Sequence, residues 1–258
     1  MNQHLRAVLF DVDGTLADTE DIHRQAFNAA FSAAGLDWEW SQALYGELLA
    51  VTGGKERIRY FLERERPAFS LPEDVDAFIA GLHARKTDFY VDRLASGTVP
   101  LRPGVERLLR EARAAGLRLA ITTTTTPANV TALLEHSFSE PATDWFEVIA
   151  AGGIVPQKKP APDIYHYTLE QMDLPADACI AIEDSYNGLQ SALAGGVATL
   201  ITVNPYTADH DFTGALAVLD HLGEPGMPCH LLAGECAPDG MVDTGYLASL
   251  HRLAVGGA

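Results

Sequence analysis

The sequence predicts an α/β fold, a doubly wound and mostly parallel sheet with a small all-helical domain inserted after the first strand. Three observations carry this. Short apolar runs stop abruptly at polar turn residues, as buried parallel strands do. Helical stretches separate most of these runs. One long interval, residues 19–97, has almost no strand character. The 258 residues are 47% hydrophobic and 21% charged, which is globular rather than disordered composition. That length suits one large domain or a core with an insert.

In order, RAVLF at 6–10 reads as the first strand, and it stops at DVDGT. The interval that follows reads as four helices, 22–34, 41–50, 56–65 and 75–94, punctuated by Gly35, Gly53, Gly54, Pro67 and Pro72. The expected organisation is therefore a catalytic core of 1–18 and 98–258, with 19–97 as a helical cap. Residues 104–115 and 161–172 read as helices. Strands are expected at 117–122, 146–150, 179–183 and 198–203. Ser185 is a natural N-cap for a helix to 193, which Gly195 and Gly196 end. From 223 onward the chain reads as loop-rich, with a terminal helix near 240–253.

Charge narrows the function. Thirty-five acidic against eighteen basic residues give −17, which argues against nucleic acid or an anionic membrane as partner. No apolar run approaches the ~20 residues that span a bilayer. The first residues lack signal-peptide character, because Asp11 and Asp13 follow the apolar patch at once. Cys179, Cys229 and Cys236 have no zinc-site spacing, and their odd number predicts reduced thiols in a cytoplasmic protein.

The chemistry concentrates at strand ends. Asp11 and Asp13 lie two residues apart just past the first strand. One carboxylate there can attack phosphorus, while the other serves as acid and then base. Glu183 and Asp184 follow another buried strand. Converging carboxylates repel by ~1 to 4 kcal/mol per pair at 4 Å, and a hard dication with oxygen-only ligands, Mg²⁺, relieves that. Lys158 and Lys159 precede Pro160 at a helix entrance, where a lysine can hold phosphate. The threonine run 122–126 ends a strand with hydroxyls and N–H groups facing the next helix.

In this order, DxDGT, a threonine-ended strand, KP and ED resemble the four motifs of the haloacid dehalogenase (HAD) superfamily. The likeness covers the whole chain, and its insert looks like the cap of the β-phosphoglucomutase and phosphoglycolate phosphatase branch. DVDGTLADTE, with GGKERI and LHARKT in the insert and TTTTTPANV, KKPAPDIY and EDSYNG in the core, is similar to the CbbY family. Those are phosphatases of Calvin-cycle operons that hydrolyse xylulose 1,5-bisphosphate, an inhibitory by-product of Rubisco. The resemblance implies a Rossmann-like core with Asp11 as nucleophile and Asp13 as general acid/base. It implies Mg²⁺ held by Asp11, the Asp13 carbonyl and Asp184, with Glu183 as a further candidate. Thr123, Thr124 and Lys159 would bind the transferred phosphoryl group. Glu20, Gly53, Gly54, Lys55, Arg57, His83 and Lys86 would contact the sugar and distal phosphate, with Asn129 adding a hydrogen bond. One departure is Thr126-Pro127-Ala128, where the family pattern has proline one place later, and it bears on loop shape.

The insert itself points to an anion. Nine of the eighteen Lys and Arg residues fall between 19 and 97, and two of the four lysines, Lys55 and Lys86, lie there. Gly53 and Gly54 precede Lys55 and Arg57 at a helix start, a place suited to phosphate. His83 and Lys86 are three apart and share a helix face. Glu20 can accept from sugar hydroxyls, and His23 can reach a phosphate or hydroxyl. Two relatives of this reading stay open, a sugar-phosphate mutase and a phosphoglycolate or other monophosphate phosphatase. A silent sugar-phosphate sensor would have lost Asp11, Asp13 or Lys159, and all three are present.

Overall fold

The computed structural model describes residues 4–96 and 99–256. Seven strands form one sheet in the order β3-β2-β1-β4-β5-β6-β7: β1 Ala7–Phe10, β2 Arg118–Thr122, β3 Val148–Ala150, β4 Cys179–Glu183, β5 Ala198–Thr202, β6 Ala217–Leu219 and β7 Leu231–Gly234. All pairings are parallel except β6 with β7. The sheet is mostly parallel and doubly wound, as the apolar runs require.

Alternate residues of the central strands go to opposite faces. Val8, Phe10, Leu119, Ile121, Ile180 and Ile182 join one buried cluster. Ala7, Leu9, Ala120, Cys179 and Ala181 join another. Burial on both faces is why these strands read as continuous apolar runs. Phe10 stands level with Ile121 on one side and Ile182 on the other. The carboxyl ends of β1, β2 and β4 therefore open at one edge, where strand order diverges to either side of β1 and α/β sheets bind ligands.

Between β1 and β2 come α1 Glu20–Ala33, α2 Gln42–Leu48, α3 Gly54–Glu65 and α4 Val75–Ala95. They have their own core, in which Phe27, Phe31, Trp38, Trp40, Tyr45 and Phe61 pack together. The ring centroids of Phe27 and Trp40 lie 4.5 Å apart, and those of Phe31 and Trp40 5.0 Å apart. The expected boundary at 97 and 98 lies outside the described residues.

The remaining helices are α5 Val105–Ala114, α6 Pro127–His136, α7 Asp163–Met172, α8 Tyr186–Ala194 and α9 Thr244–Gly256. Ser185 caps α8 as its sequence suggests, its side chain accepting from Gly188 N. The segment after 223 differs from the loop-rich expectation in carrying β7, which pairs with the short β6. These strands are three and four residues long, and β7 is largely exposed, so neither leaves an apolar pattern to read. The terminal helix starts at Thr244 rather than near 240, because Asp243 Oδ1 accepts from Tyr246 N at 2.7 Å and sets the first turn there. Among the described residues no helix is long and apolar enough to cross a membrane.

Candidate active site

Asp11 is the first residue beyond β1, and its backbone N–H donates to Ile182 O at 3.0 Å, which ties the loop to β4. Lys159 reaches the same point from the loop before α7. Its Nζ donates to Asp11 Oδ1 at 2.7 Å, Glu183 Oε1 at 2.5 Å and Thr122 O at 2.8 Å. All three ammonium protons are thus aimed at the ends of β1, β2 and β4. The Tyr165 hydroxyl also donates to Glu183 Oε1, at 2.6 Å, while Glu183 Oε2 is buried without a hydrogen-bond partner. Glu183 lies under the site and holds Lys159 upright.

The electrostatics fit a cation-binding site. Burial pushes the Asp11 carboxyl up to about 7, against the pull of Lys159 and with the push of Glu183. Burial, Asp11 and Glu183 push Asp184 well above the usual carboxylate range. Lys159 is held above its ordinary value because Asp11 and Glu183 outweigh the cost of its burial. Asp11, Glu183 and Asp184 each offer an oxygen within 4.8 Å of the others. One lysine leaves this cluster under-neutralised, and the all-oxygen donor set is that of a hard dication. Asn204 Nδ2 donates to Asp184 Oδ2 at 2.7 Å and fixes that carboxylate.

Asp13 is treated differently. The Thr19 hydroxyl donates to its Oδ1 at 2.5 Å, and His23 Nε2 lies 2.8 Å from the same oxygen. Behind His23, its Nδ1 lies 2.6 Å from Lys86 Nζ. An ammonium can only donate, so His23 carries its proton on Nε2 and donates it to Asp13. Burial would raise Asp13, but His23 and Thr19 hold it below the usual carboxylate range. Burial pushes His23 toward the neutral form and brings Lys86 down to about 8. The two neighbouring carboxylates thus lie on opposite sides of the ordinary range, Asp11 above it and Asp13 below it.

Above these groups is a cavity of about 1030 Å³, lined by both the sheet edge and the helical insert. Every residue given a catalytic, substrate or metal role in the sequence borders it except Glu183, which is fully buried beneath. From the core come Asp11, Asp13, Lys159 and Asp184, with Thr123, Thr124 and Asn129. Asn129 Nδ2 donates to Thr125 Oγ1 at 2.8 Å, and its Oδ1 is buried without a partner. Thr126 caps α6, which begins with Pro127. From the insert come Glu20, His23, Gly53, Gly54, Lys55, Arg57, His83 and Lys86. Gly53 has φ 97, and a Cβ there would meet Glu56 Oε2 at 2.3 Å and Lys158 Nζ at 2.6 Å. His83 is pushed down to about 4 by burial and by Lys86, Lys55 and Lys158, so it is neutral near pH 7.

Three relationships escaped the sequence. The Tyr45 hydroxyl donates to Glu20 Oε2 at 2.8 Å and accepts from Arg57 Nη1 at 3.0 Å, joining two lining residues. Lys158 borders the same cavity but is engaged by the insert. Its Nζ donates to Glu56 of α3 at 2.6 and 2.7 Å, bridging core and insert. Asn187 of α8 makes a second bridge, donating to Thr52 Oγ1 at 2.9 Å. Lys158, Glu56, Arg57 and Asn187 stand in the motifs KKPAPDIY, GGKERI and EDSYNG, but nothing local marks their partners, and Tyr45 stands in none.

With this geometry in hand, comparison with known proteins is direct. Residues 5–196 match the model of the haloacid dehalogenase-like hydrolases. The chain belongs to this family. It is 49% identical over 227 residues to Protein CbbY, plasmid, of Cupriavidus necator, covering 87% of this chain and 88% of that protein. It is 54% identical over 211 residues to Protein CbbY of Rhodobacter capsulatus, covering 82% and 91% respectively. A crystal structure of a CbbY mutant from Rhodobacter sphaeroides in complex with xylulose-(1,5)bisphosphate superposes with a TM-score of 0.79 at 46% identity, covering 84% of this chain and 94% of that one. The chain is thus a HAD-like hydrolase with CbbY homologues, and a phosphatase.

Proposed function

We propose that the enzyme is a Mg²⁺-dependent phosphatase that hydrolyses a sugar bisphosphate, xylulose 1,5-bisphosphate, in the cytoplasm. The observation that carries this is the placement of Asp11 and Lys159 on the floor of a cavity whose opposite wall, from the insert, carries Lys55 and Arg57. Cations at both ends suit a substrate with two phosphates. The substrate named is the one bound in the 46% identical CbbY structure.

In this reading Asp11 attacks phosphorus. The P–O bond to the sugar breaks, and Asp13 delivers a proton to the leaving alkoxide. Asp13 then takes a proton from water as it attacks the aspartyl-phosphate, and inorganic phosphate leaves with Asp11 regenerated. Lys159, Thr123 and Thr124 hold the transferred phosphoryl group, and Asp13 waits on the Thr19 and His23 hydrogen bonds. Asp11, the Asp13 carbonyl and Asp184 would hold Mg²⁺, with Glu183 close by. Bound there, the ion would supply charge neutralisation between nucleophile and phosphate. Residues 19–97 act as a cap, and Glu20, His23, Gly53, Gly54, Lys55, Arg57, His83, Lys86 and Asn129 form the substrate wall. A panel of phosphate esters assayed for released phosphate tests the proposal. The bisphosphate should lead in kcat/KM, and a preference for phosphoglycolate or for phosphoryl return to a hexose phosphate would overturn it.

A further inference from the structure

Arg102 takes no part in the chemistry above, yet it is among the most heavily engaged side chains in the core. It lies in the segment that returns from α4 to α5, only 7% exposed. Its backbone N–H donates to Leu16 O at 2.9 Å, and neighbouring Leu101 bridges to Ala17, so this returning segment pairs with the chain leaving the catalytic loop. The guanidinium reaches further. Nη1 donates to Gly14 O, and to Thr202 O and Oγ1 at 3.0 Å each. Nη2 donates to Val203 O and, at 2.8 Å, to Asp220 O. Nε lies 3.2 Å from Asp18 Oδ1.

Four of these acceptors are backbone carbonyls, and one belongs to the residue directly after Asp13. Gly14 has φ 81, and a Cβ on it would meet Asp184 Oδ2 at 2.3 Å and Asn204 Nδ2 at 2.5 Å. The DVDGT turn is therefore pressed against the Asp184–Asn204 pair while Arg102 holds its carbonyl. Packing alone would not select this residue, since an apolar side chain fills a core without needing five acceptors. Lysine has three tetrahedral donors and cannot reproduce the planar fork that spans Gly14, Thr202 and Asp220.

We infer that Arg102 is a positioning residue, its guanidinium fixing the Asp13–Gly14 turn against the ends of β5 and β6 so that Asp13 meets the leaving oxygen. This rests on the acid/base role proposed for Asp13. Displacing such a group by ~1 Å can cost ~100-fold in rate. A purely structural arginine would lower the amount of folded enzyme without changing the turnover of what remains.

The test compares wild type with Arg102→Lys and Arg102→Ala, measuring kcat, KM and Tm on p-nitrophenyl phosphate and on the bisphosphate. Folded Arg102→Lys should lose about tenfold or more in kcat on both substrates. Its KM should stay within about threefold of wild type. Millimolar guanidinium chloride should restore part of the Arg102→Ala kcat in a saturable way, whereas sodium chloride should not. Folded variants with wild-type kcat overturn the inference, as does failure of Arg102→Lys to fold, which would make the residue a structural clamp. A wild-type enzyme without phosphatase activity overturns the proposed function and this inference with it. Active wild type with equally active variants overturns the inference alone.

Discussion

Lys158 and Glu56 meet at 2.6 and 2.7 Å across the mouth of the cavity, one from the core and the other from the helical insert. Asn187 to Thr52 repeats the bridge nearby. Both contacts exist only while the insert sits against the sheet. Ala26, Tyr90 and Leu94 of the insert also pack into the sheet's buried apolar cluster, and the polar bridges at the cavity mouth, being partly exposed, give way more readily than that packing.

Glu56→Gln should accordingly raise KM for the bisphosphate by at most about fivefold, the worth of a partly exposed ion pair. The turnover number should be little changed, and the wild-type KM should drift toward the mutant value as salt is added. Steady-state kinetics at two ionic strengths checks this. A loss of kcat instead would mean that Glu56 acts on the reacting groups.

Asp11→Asn should abolish turnover, with activity below about a hundredth of wild type and an unchanged circular dichroism spectrum. It should also stabilise the metal-free protein. Burial raises the folded-state pKa of Asp11 to about 7 from an ordinary value of 3.8, so the folded state holds an extra proton between those limits. Stability therefore falls as pH rises through that window and stays reduced above it. Asparagine carries no such cost. Metal-free Asp11→Asn should melt above wild type near pH 8, with the gap closing near pH 4.

Mg²⁺ should remove the same cost by pairing with the carboxylates of Asp11 and Asp184. Its effect on Tm should be larger near pH 8 than near pH 5, where Asp11 is protonated in the metal-free fold. Chelation should stop turnover, and Mg²⁺ should restore it better than Ca²⁺, which prefers longer bonds and more ligands. Full activity in excess chelator would remove the acidic cluster from the mechanism.

Local pattern made part of the molecule legible. β4 ends at Glu183, and the Ser185 cap follows, because a buried strand and a helix start each leave a contiguous signal. The carboxylates of Asp11, Glu183 and Asp184 could be anticipated together because parallel strands bring their carboxyl ends to one edge. Polar partners distant in sequence left no such trace. Arg102 meets Asp220 across 118 positions, and Tyr45 meets Glu20 across 25, with nothing local to mark either pair. Periodicity likewise put His83 and Lys86 on one helix face, but could not say which of them the core would bury. His83 is half-buried at the cavity, whereas Lys86 is almost fully buried beside His23.

That difference separates the two lysines of the insert, which the sequence treats alike. Lys55 is exposed and borders the cavity. Lys86 is buried, lies 5.1 Å from the ring centroids of both Phe27 and Tyr90, and donates to the histidine that orients Asp13. If Lys55 serves the distal phosphate, Lys55→Ala should cost about ten- to a hundredfold in kcat/KM on the bisphosphate, the worth of one charge-assisted hydrogen bond. It should leave p-nitrophenyl phosphate nearly untouched, since that ester has nothing to reach it. Lys86→Ala should impair both substrates, because His23 then loses its donor and Asp13 its fixed orientation. With Lys86 brought down to about 8 by burial, the wild-type kcat/KM should fall on both substrates above that pH as the ammonium loses its proton. Lys86→Arg, where it folds, should move that alkaline limb upward. Equal losses on both substrates for Lys55→Ala would assign Lys55 to general catalysis, and no loss on either would leave the second phosphate without a binding group there.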